Sequence, residues 1–184
     1  MKLKHIINIY GGPGVGKSTV ASELFSLMKK ENYNVEFVTE YAKELTYEGR
    51  YNVLDQDQLY VFAKQHRKIM RLKDKVDYII SDSPLLLSTV YSELNPYNIF
   101  DHSIFEKLVF NINKQYGNID ILLLRNTIYK YKQEGRYQDE EGALFVDKAI
   151  KKVIDRQCPG IMHLLSDNNI VDKILKFVRK HEKK

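Results

Sequence analysis

The 184-residue chain carries 29 Lys and Arg against 24 Asp and Glu, a formal net charge of +5 with a pI near 9.0. That length holds one well-buried domain with little to spare for a second, and no apolar run approaches membrane-spanning length, so no membrane partner is expected. Cys158 is the single cysteine, which excludes an internal disulfide, and the basic balance suits anionic ligands while leaving nucleic acid open as substrate or partner.

Met1 to Lys4 runs straight into an apolar strand signal, His5 to Tyr10, so no signal peptide is expected and a cytoplasmic, reducing setting follows. The strand ends in Gly11-Gly12-Pro13-Gly14-Val15-Gly16-Lys17-Ser18-Thr19, the G-x-x-x-x-G-K-S spacing of a phosphate-binding P-loop. A helical pattern follows from about Lys17 to Asn32, with Val20, Leu24, Leu27 and Met28 on one stripe. Glycines here let backbone N–H groups converge on phosphate oxygens, and the new helix turns its positive end to the same anion. Lys17 is placed to reach the β- and γ-phosphates, and Ser18 to offer its hydroxyl to Mg²⁺. A glycine-rich turn that binds nothing is the competing reading, and it leaves the full spacing in this context unexplained. A nucleoside triphosphate, taken as ATP, is therefore the expected ligand.

Val35 to Thr39 reads as a second strand closed by Glu40, then a short helix around Tyr41–Glu48 and a polar loop at Gly49–Asn52. On a parallel rim Glu40 could take the proton of an attacking hydroxyl, or it could serve as a first-turn glutamate complementing a helix dipole. Asp55 to Leu72 predicts one long helix with Leu59, Phe62, Ile69 and Met70 on its buried side. Gln58 and Gln65 fall near one face of it, where amides could read a base edge and Phe62 or Tyr60 stack on it; an exposed polar face explains them equally well. Tyr41, beside Glu40, completes the set of candidate acceptor contacts.

Val76 to Ser81 is the third strand, and Asp82 closes it, as a ligand for Mg²⁺ or its waters, as a catalytic carboxylate, or as the N-cap that Ser83-Pro84 also suggests. A helix near Leu85–Tyr91, a turn at Asn95-Pro96 and a helix near Ser103–Tyr116 lead to a fourth strand, Asp120 to Leu124. The aperiodic tract from Asn126 to Gly142 follows Arg125 and carries Lys130, Lys132 and Arg136. It reads as a short basic lid whose cations, Arg136 first and Arg125 next, would stabilise charge on a moving phosphoryl group, or as an exposed loop of no consequence. Gly142 to Arg156 is helical, Ile161 to Leu165 is a fifth strand, and a last helix starts near Asp167. Its basic residues from Lys173 to Lys184 read as a solvated face, with a nucleic-acid patch as the alternative.

Alternating strands and helices imply a three-layer α/β domain over residues 1–184, with a P-loop NTPase fold and a five-stranded, mainly parallel sheet. With these residues in place, the chain resembles the small P-loop kinases of the nucleoside and nucleotide kinase group. The nearest branches hold the ribosylnicotinamide kinase domain of bacterial NAD-salvage proteins and phage-encoded proteins labelled ATPases or nucleotide kinases. Tyr10-Gly11-Gly12-Pro13-Gly14, Thr39-Glu40-Tyr41-Ala42-Lys43, Asp82-Ser83-Pro84-Leu85 and Gly135-Arg136-Tyr137-Gln138 carry the phage-like character, and a phage origin would make the setting a host cytoplasm. The resemblance implies that Glu40 is the general base. It also implies an acidic residue followed by Arg-Ser after the third strand; here Ser83 directly follows Asp82, which shifts that arginine's burden to Arg125 or Arg136.

The leading expectation is thus ATP·Mg²⁺-dependent transfer to a nucleoside, nucleotide or similar hydroxyl acceptor. The alternative is a kinase acting on a hydroxymethylated base or strand end of DNA, for which the basic balance and 13 tyrosines speak. A non-kinase NTPase comes third: Asn113-Lys114-Gln115-Tyr116 lacks the aspartate of a guanine reader, and no length remains for the helical domain of a mechanical ATPase.

Overall fold

The computed structural model describes residues 3–95, 97, 100–126, 131, 138–165, 167 and 169–181. In chain order the elements are β1 (His5–Tyr10), α1 (Lys17–Lys30), β2 (Val35–Val38), α2 (Tyr41–Tyr47), α3 (Tyr51–Gln56), α4 (Gln58–Met70), β3 (Tyr78–Ser81), α5 (Leu87–Leu94), α6 (His102–Asn113), β4 (Asn118–Leu124), α7 (Glu140–Gln157), β5 (Met162–Leu165) and α8 (Ile170–His181). The five strands form one sheet of order β2-β3-β1-β4-β5, and every pairing is parallel.

Strands buried on both faces read as near-continuous apolar runs, and the strand period of two sorts them into two cores. Ile6, Tyr10, Ile79 and Leu122 face the layer of α4, α5, α6 and α7. Ile7, Ile9, Ile80 and Ile121 face α1 and α8. Right-handed crossovers produce this division. The connection from β1 runs outward to β2 over one face, whereas those from β2, β3 and β4 run the opposite way over the other. Chain paths therefore part at the carboxyl ends of β1 and β3, where a crevice opens. Among the described residues, no helix is long and apolar enough to cross a membrane.

One polar patch interrupts the apolar face between β1 and β4. The Asn8 side-chain amide donates to Asn118 Oδ1 and Asp120 Oδ1, each at 2.9 Å, and burial raises the Asp120 carboxyl above the ordinary carboxylate range.

Several boundaries depart from the sequence pattern. The helix expected from Asp55 to Leu72 is two helices, because Asp57 caps α4 by accepting from Tyr60 N at 2.9 Å. The polar loop expected through Asn52 already enters α3 at Tyr51. Leu59 and Met70, expected inside, are 43% and 40% exposed. The buried residues of α4 are Gln58, Val61, Phe62, Gln65 and Ile69, and the polar Gln58 and Gln65 among them hide the true stripe from a hydropathy pattern. Leu85 and Leu86 form a turn ahead of α5, and β3 begins at Tyr78.

Candidate active site

The loop after β1 is held in shape by backbone conformations that only glycine adopts cheaply. Gly14 and Gly16 have φ of 76° and 99°, the left-handed region where a side chain costs about 1 kcal/mol or more. Gly16 leads directly into α1, whose first turn has neither an acidic residue nor a side-chain cap. That helix end therefore offers its N–H groups and positive dipole to a ligand. Lys17 Nζ donates to the Gly12 carbonyl at 3.0 Å, so its charge sits beside the loop it would share with a phosphate.

Strand register brings the two carboxylates to the same rim. Asn8 of β1 pairs with Ser81 of β3, which pairs with Val38 of β2; Asp82 stands one residue beyond this row and Glu40 two. Asp82 is 3% exposed, and its Oδ1 has no hydrogen-bond partner among the described residues. A buried carboxylate oxygen without a partner, next to a P-loop whose Ser18 is exposed, fits a hard cation such as Mg²⁺, which takes one or two protein oxygens and completes its shell with phosphate and water.

A cavity of about 580 Å³ joins the P-loop and Glu40 to the helices opposite; Asp82 is not part of its lining, which at that strand end is Ser83. Pro13, Gly14, Lys17 and Ser18 give its P-loop lining; Glu40, Asp55, Gln58, Leu87, Ser88 and Tyr91 line it from other segments. Gln58 is buried, and its Nε2 donates to the Leu54 carbonyl at 2.7 Å. The Tyr91 phenol is held far above its usual range by burial first, then by the neighbouring Glu40 and Asp147 carboxylates. It therefore stays a neutral hydrogen-bond donor.

The remaining candidates sit elsewhere. Gln65 Oε1 accepts from Tyr41 N at 2.9 Å, tying down the corner that carries Glu40. The Tyr41 hydroxyl bonds to that of Tyr60 at 3.2 Å and is pushed up to about 12 by burial and by this bond. Phe62, 3% exposed, stacks on His66 and meets Phe105 edge-on in the core; neither it nor Gln65 lines the cavity. Arg125 is engaged with Asp147 and the Pro13 carbonyl. Arg136, Lys130, Lys132 and most of the expected lid lie outside the described residues. Sequence reasoning missed Asp55, Ser88, Tyr91 and Asp147, which come together only when α3, α5 and α7 converge on the rim.

A parallel sheet of this order, with a P-loop after its central strand and carboxylates at the neighbouring strand ends, defines a P-loop nucleotide-binding protein. Consistent with that class, a family model described as an AAA domain matches residues 6–162, and the chain belongs to that family. Among solved structures it is similar to deoxyadenosine kinase from M. mycoides with the products dCMP and a flexible dCDP bound, at 20% identity and a TM-score of 0.62, over 95% of this chain and 99% of that one. The same kinase with bound dATP matches at 20% identity and a TM-score of 0.60, over 97% and 100%. The NadR protein in complex with NR matches at 18% identity and a TM-score of 0.71, over 95% of this chain and 52% of that chain, so the present chain spans about half of NadR. At these identities the likeness is one of fold. No curated protein sequence matches the chain.

Proposed function

We propose that the protein is a P-loop kinase that transfers the γ-phosphoryl group of ATP, with Mg²⁺, to the hydroxyl of a nucleoside, a nucleotide or a related small acceptor. The observation that carries this reading is one continuous cavity lined by Lys17, Ser18, Glu40, Gln58 and Ser88. Its volume of about 580 Å³ lies within the range of small-molecule sites, roughly 300–1,000 Å³. The names of the structural neighbours, a deoxyadenosine kinase and a NadR with NR bound, support an acceptor of nucleoside type.

In this mechanism the loop N–H groups and the α1 N-terminus hold the phosphates, and Lys17 moves from the Gly12 carbonyl to their oxygens. Glu40 accepts the acceptor's hydroxyl proton as the O–P bond forms and the bond to the β-phosphate oxygen breaks, releasing ADP. Ser18 and Asp82 would hold Mg²⁺, which when bound would supply positive charge to offset that building on the transferring phosphoryl group. Tyr91, kept neutral, donates a hydrogen bond at the acceptor end. A cytoplasmic setting is part of the same proposal.

The test is a labelled-ATP transfer screen with mass-spectrometric identification of products. It covers nucleosides, nucleoside monophosphates, nicotinamide riboside, and DNA with and without hydroxymethylated bases. Transfer to a small acceptor is expected; transfer to DNA alone would put the DNA-kinase reading in its place, and phosphate released only to water would leave an ATPase.

A further inference from the structure

Arg125 stands where the chain leaves β4, and its guanidinium is already committed. Its Nε donates to Asp147 Oδ2 at 2.6 Å, and its Nη2 to Asp147 Oδ1 at 3.2 Å and to the Pro13 carbonyl at 2.6 Å. Both side chains are largely buried, at 20% and 23% exposure. Asp147 lies so close over the loop that a Cβ on Gly12 would fall 2.0 Å from its Oδ1 and 3.2 Å from the Ala143 carbonyl. Gly12 thus admits α7 to the loop. Two consecutive loop carbonyls are then held by cations, Gly12 by Lys17 and Pro13 by Arg125.

The Pro13 carbonyl and the Gly14 N–H belong to one planar trans peptide and point in opposite directions. Pinning the carbonyl toward Arg125 turns the Gly14 N–H away from it, and Gly14 lines the cavity. We propose that Asp147 is a positioning residue for the P-loop: it orients Arg125, which fixes the Pro13–Gly14 peptide in the anion-binding orientation before nucleotide arrives. Arg125 then acts through the loop and not on the moving phosphoryl group. The guanidinium suits this because its rigid planar fork grips the Asp147 carboxylate through Nε and Nη2 while Nη2 also reaches the Pro13 carbonyl, an orientation that a freely rotating ammonium does not fix.

The inference rests on triphosphate binding at the loop, so the experiment reads binding without turnover. Calorimetry with ATP and with inorganic tripolyphosphate is run on the wild type, Asp147→Asn, Arg125→Lys and the double variant, with thermal melts alongside. Each single variant is expected to weaken both ligands by about tenfold, and the double variant no more than the worse single, since the two residues act as one unit. KM for ATP should rise while kcat at saturating ATP stays within about twofold. Lowered melting temperatures with unchanged affinities would overturn the inference in favour of a purely structural pair. Tighter binding by Asp147→Asn would overturn it by showing that Asp147 withholds Arg125 from phosphate. A wild type that binds neither ligand would instead refute the triphosphate reading itself. Should Asp147→Asn fail to fold, Arg125→Lys tests the same brace from the other side.

Discussion

The two ends of the cavity are built by opposite means. The phosphate end is backbone: one continuous stretch, Gly11 to Thr19, shaped by left-handed glycines at 14 and 16 and steadied by Lys17 and Arg125 through its own carbonyls. The proposed acceptor end is side chains, drawn from separate segments: Glu40 after β2, Asp55 and Gln58 at the α3–α4 junction, Leu87, Ser88 and Tyr91 on α5. Backbone amides recognise a group common to all nucleoside triphosphates, and side chains can vary with the acceptor while the loop stays fixed. The difference predicts that substitutions at one end change nucleotide handling and those at the other change the acceptor.

The largest effect is expected at Lys17. Lys17→Ala removes the one side-chain cation of the loop, and transfer should fall by about 10³-fold with weaker ATP binding; a full-rate variant would remove the phosphate end from the comparison altogether. Glu40→Gln comes next. It keeps the shape of the corner that Gln65 anchors but cannot accept a proton, so kcat should drop by about 10²- to 10³-fold while ATP affinity, measured by calorimetry, stays unchanged. Equal loss of both would mean that Glu40 belongs to the phosphate end.

The same contrast explains what could be read from the amino-acid sequence. The P-loop was legible because its parts are contiguous and its spacing is dictated by phosphate geometry. The sheet was legible because apolar runs such as Ile121 to Leu124, in the strand read from Asp120 to Leu124, signal strands buried on both faces. Glu40 and Asp82 could be placed on one rim once the strands were taken as parallel. The acceptor wall was not legible in that way. Gln65 carries the same chemistry as Gln58, yet one ties a helix end and the other faces the cavity, and only the packing of α4 distinguishes them. Asp57 splits a helix through a cap that an unbroken apolar period conceals. Asp147 looks like any polar residue of an amphipathic helix until Gly12 lets α7 approach.

Gln58→Leu probes the acceptor end with a smaller effect. The substitution retains an apolar contact but loses the amide that bonds to the Leu54 carbonyl and faces the cavity. KM for the acceptor should rise by about tenfold, the cost of a buried hydrogen bond, with KM for ATP unmoved. A rise in both would show that the two ends are coupled through α4.

The smallest effect should come from beneath the site, at Asp120, and it should reach neither end. Burial raises this carboxyl, and the bond from the Asn8 amide offsets it only in part. Its folded form therefore holds the proton more tightly than the unfolded chain does. The resulting stability is fully present below the unfolded carboxylate value and is lost as pH rises through the folded one. Asp120→Asn abolishes that slope: Asn Oδ1 still accepts from Asn8, and no charge has to be desolvated at neutral pH. Thermal melts from pH 4 to pH 7 should show the wild type losing stability relative to the variant as pH rises. At pH 7 the variant should be more stable by about 1 kcal/mol or less, a few degrees in Tm. ATP affinity and transfer rate should hold within about twofold, because the patch lies under the sheet face and contributes no cavity wall. A variant that melted normally but bound ATP poorly would mean that the β1–β4 register, set partly by Asn8 and Asp120, controls the loop that follows Tyr10, and the phosphate end would then extend well below its own backbone.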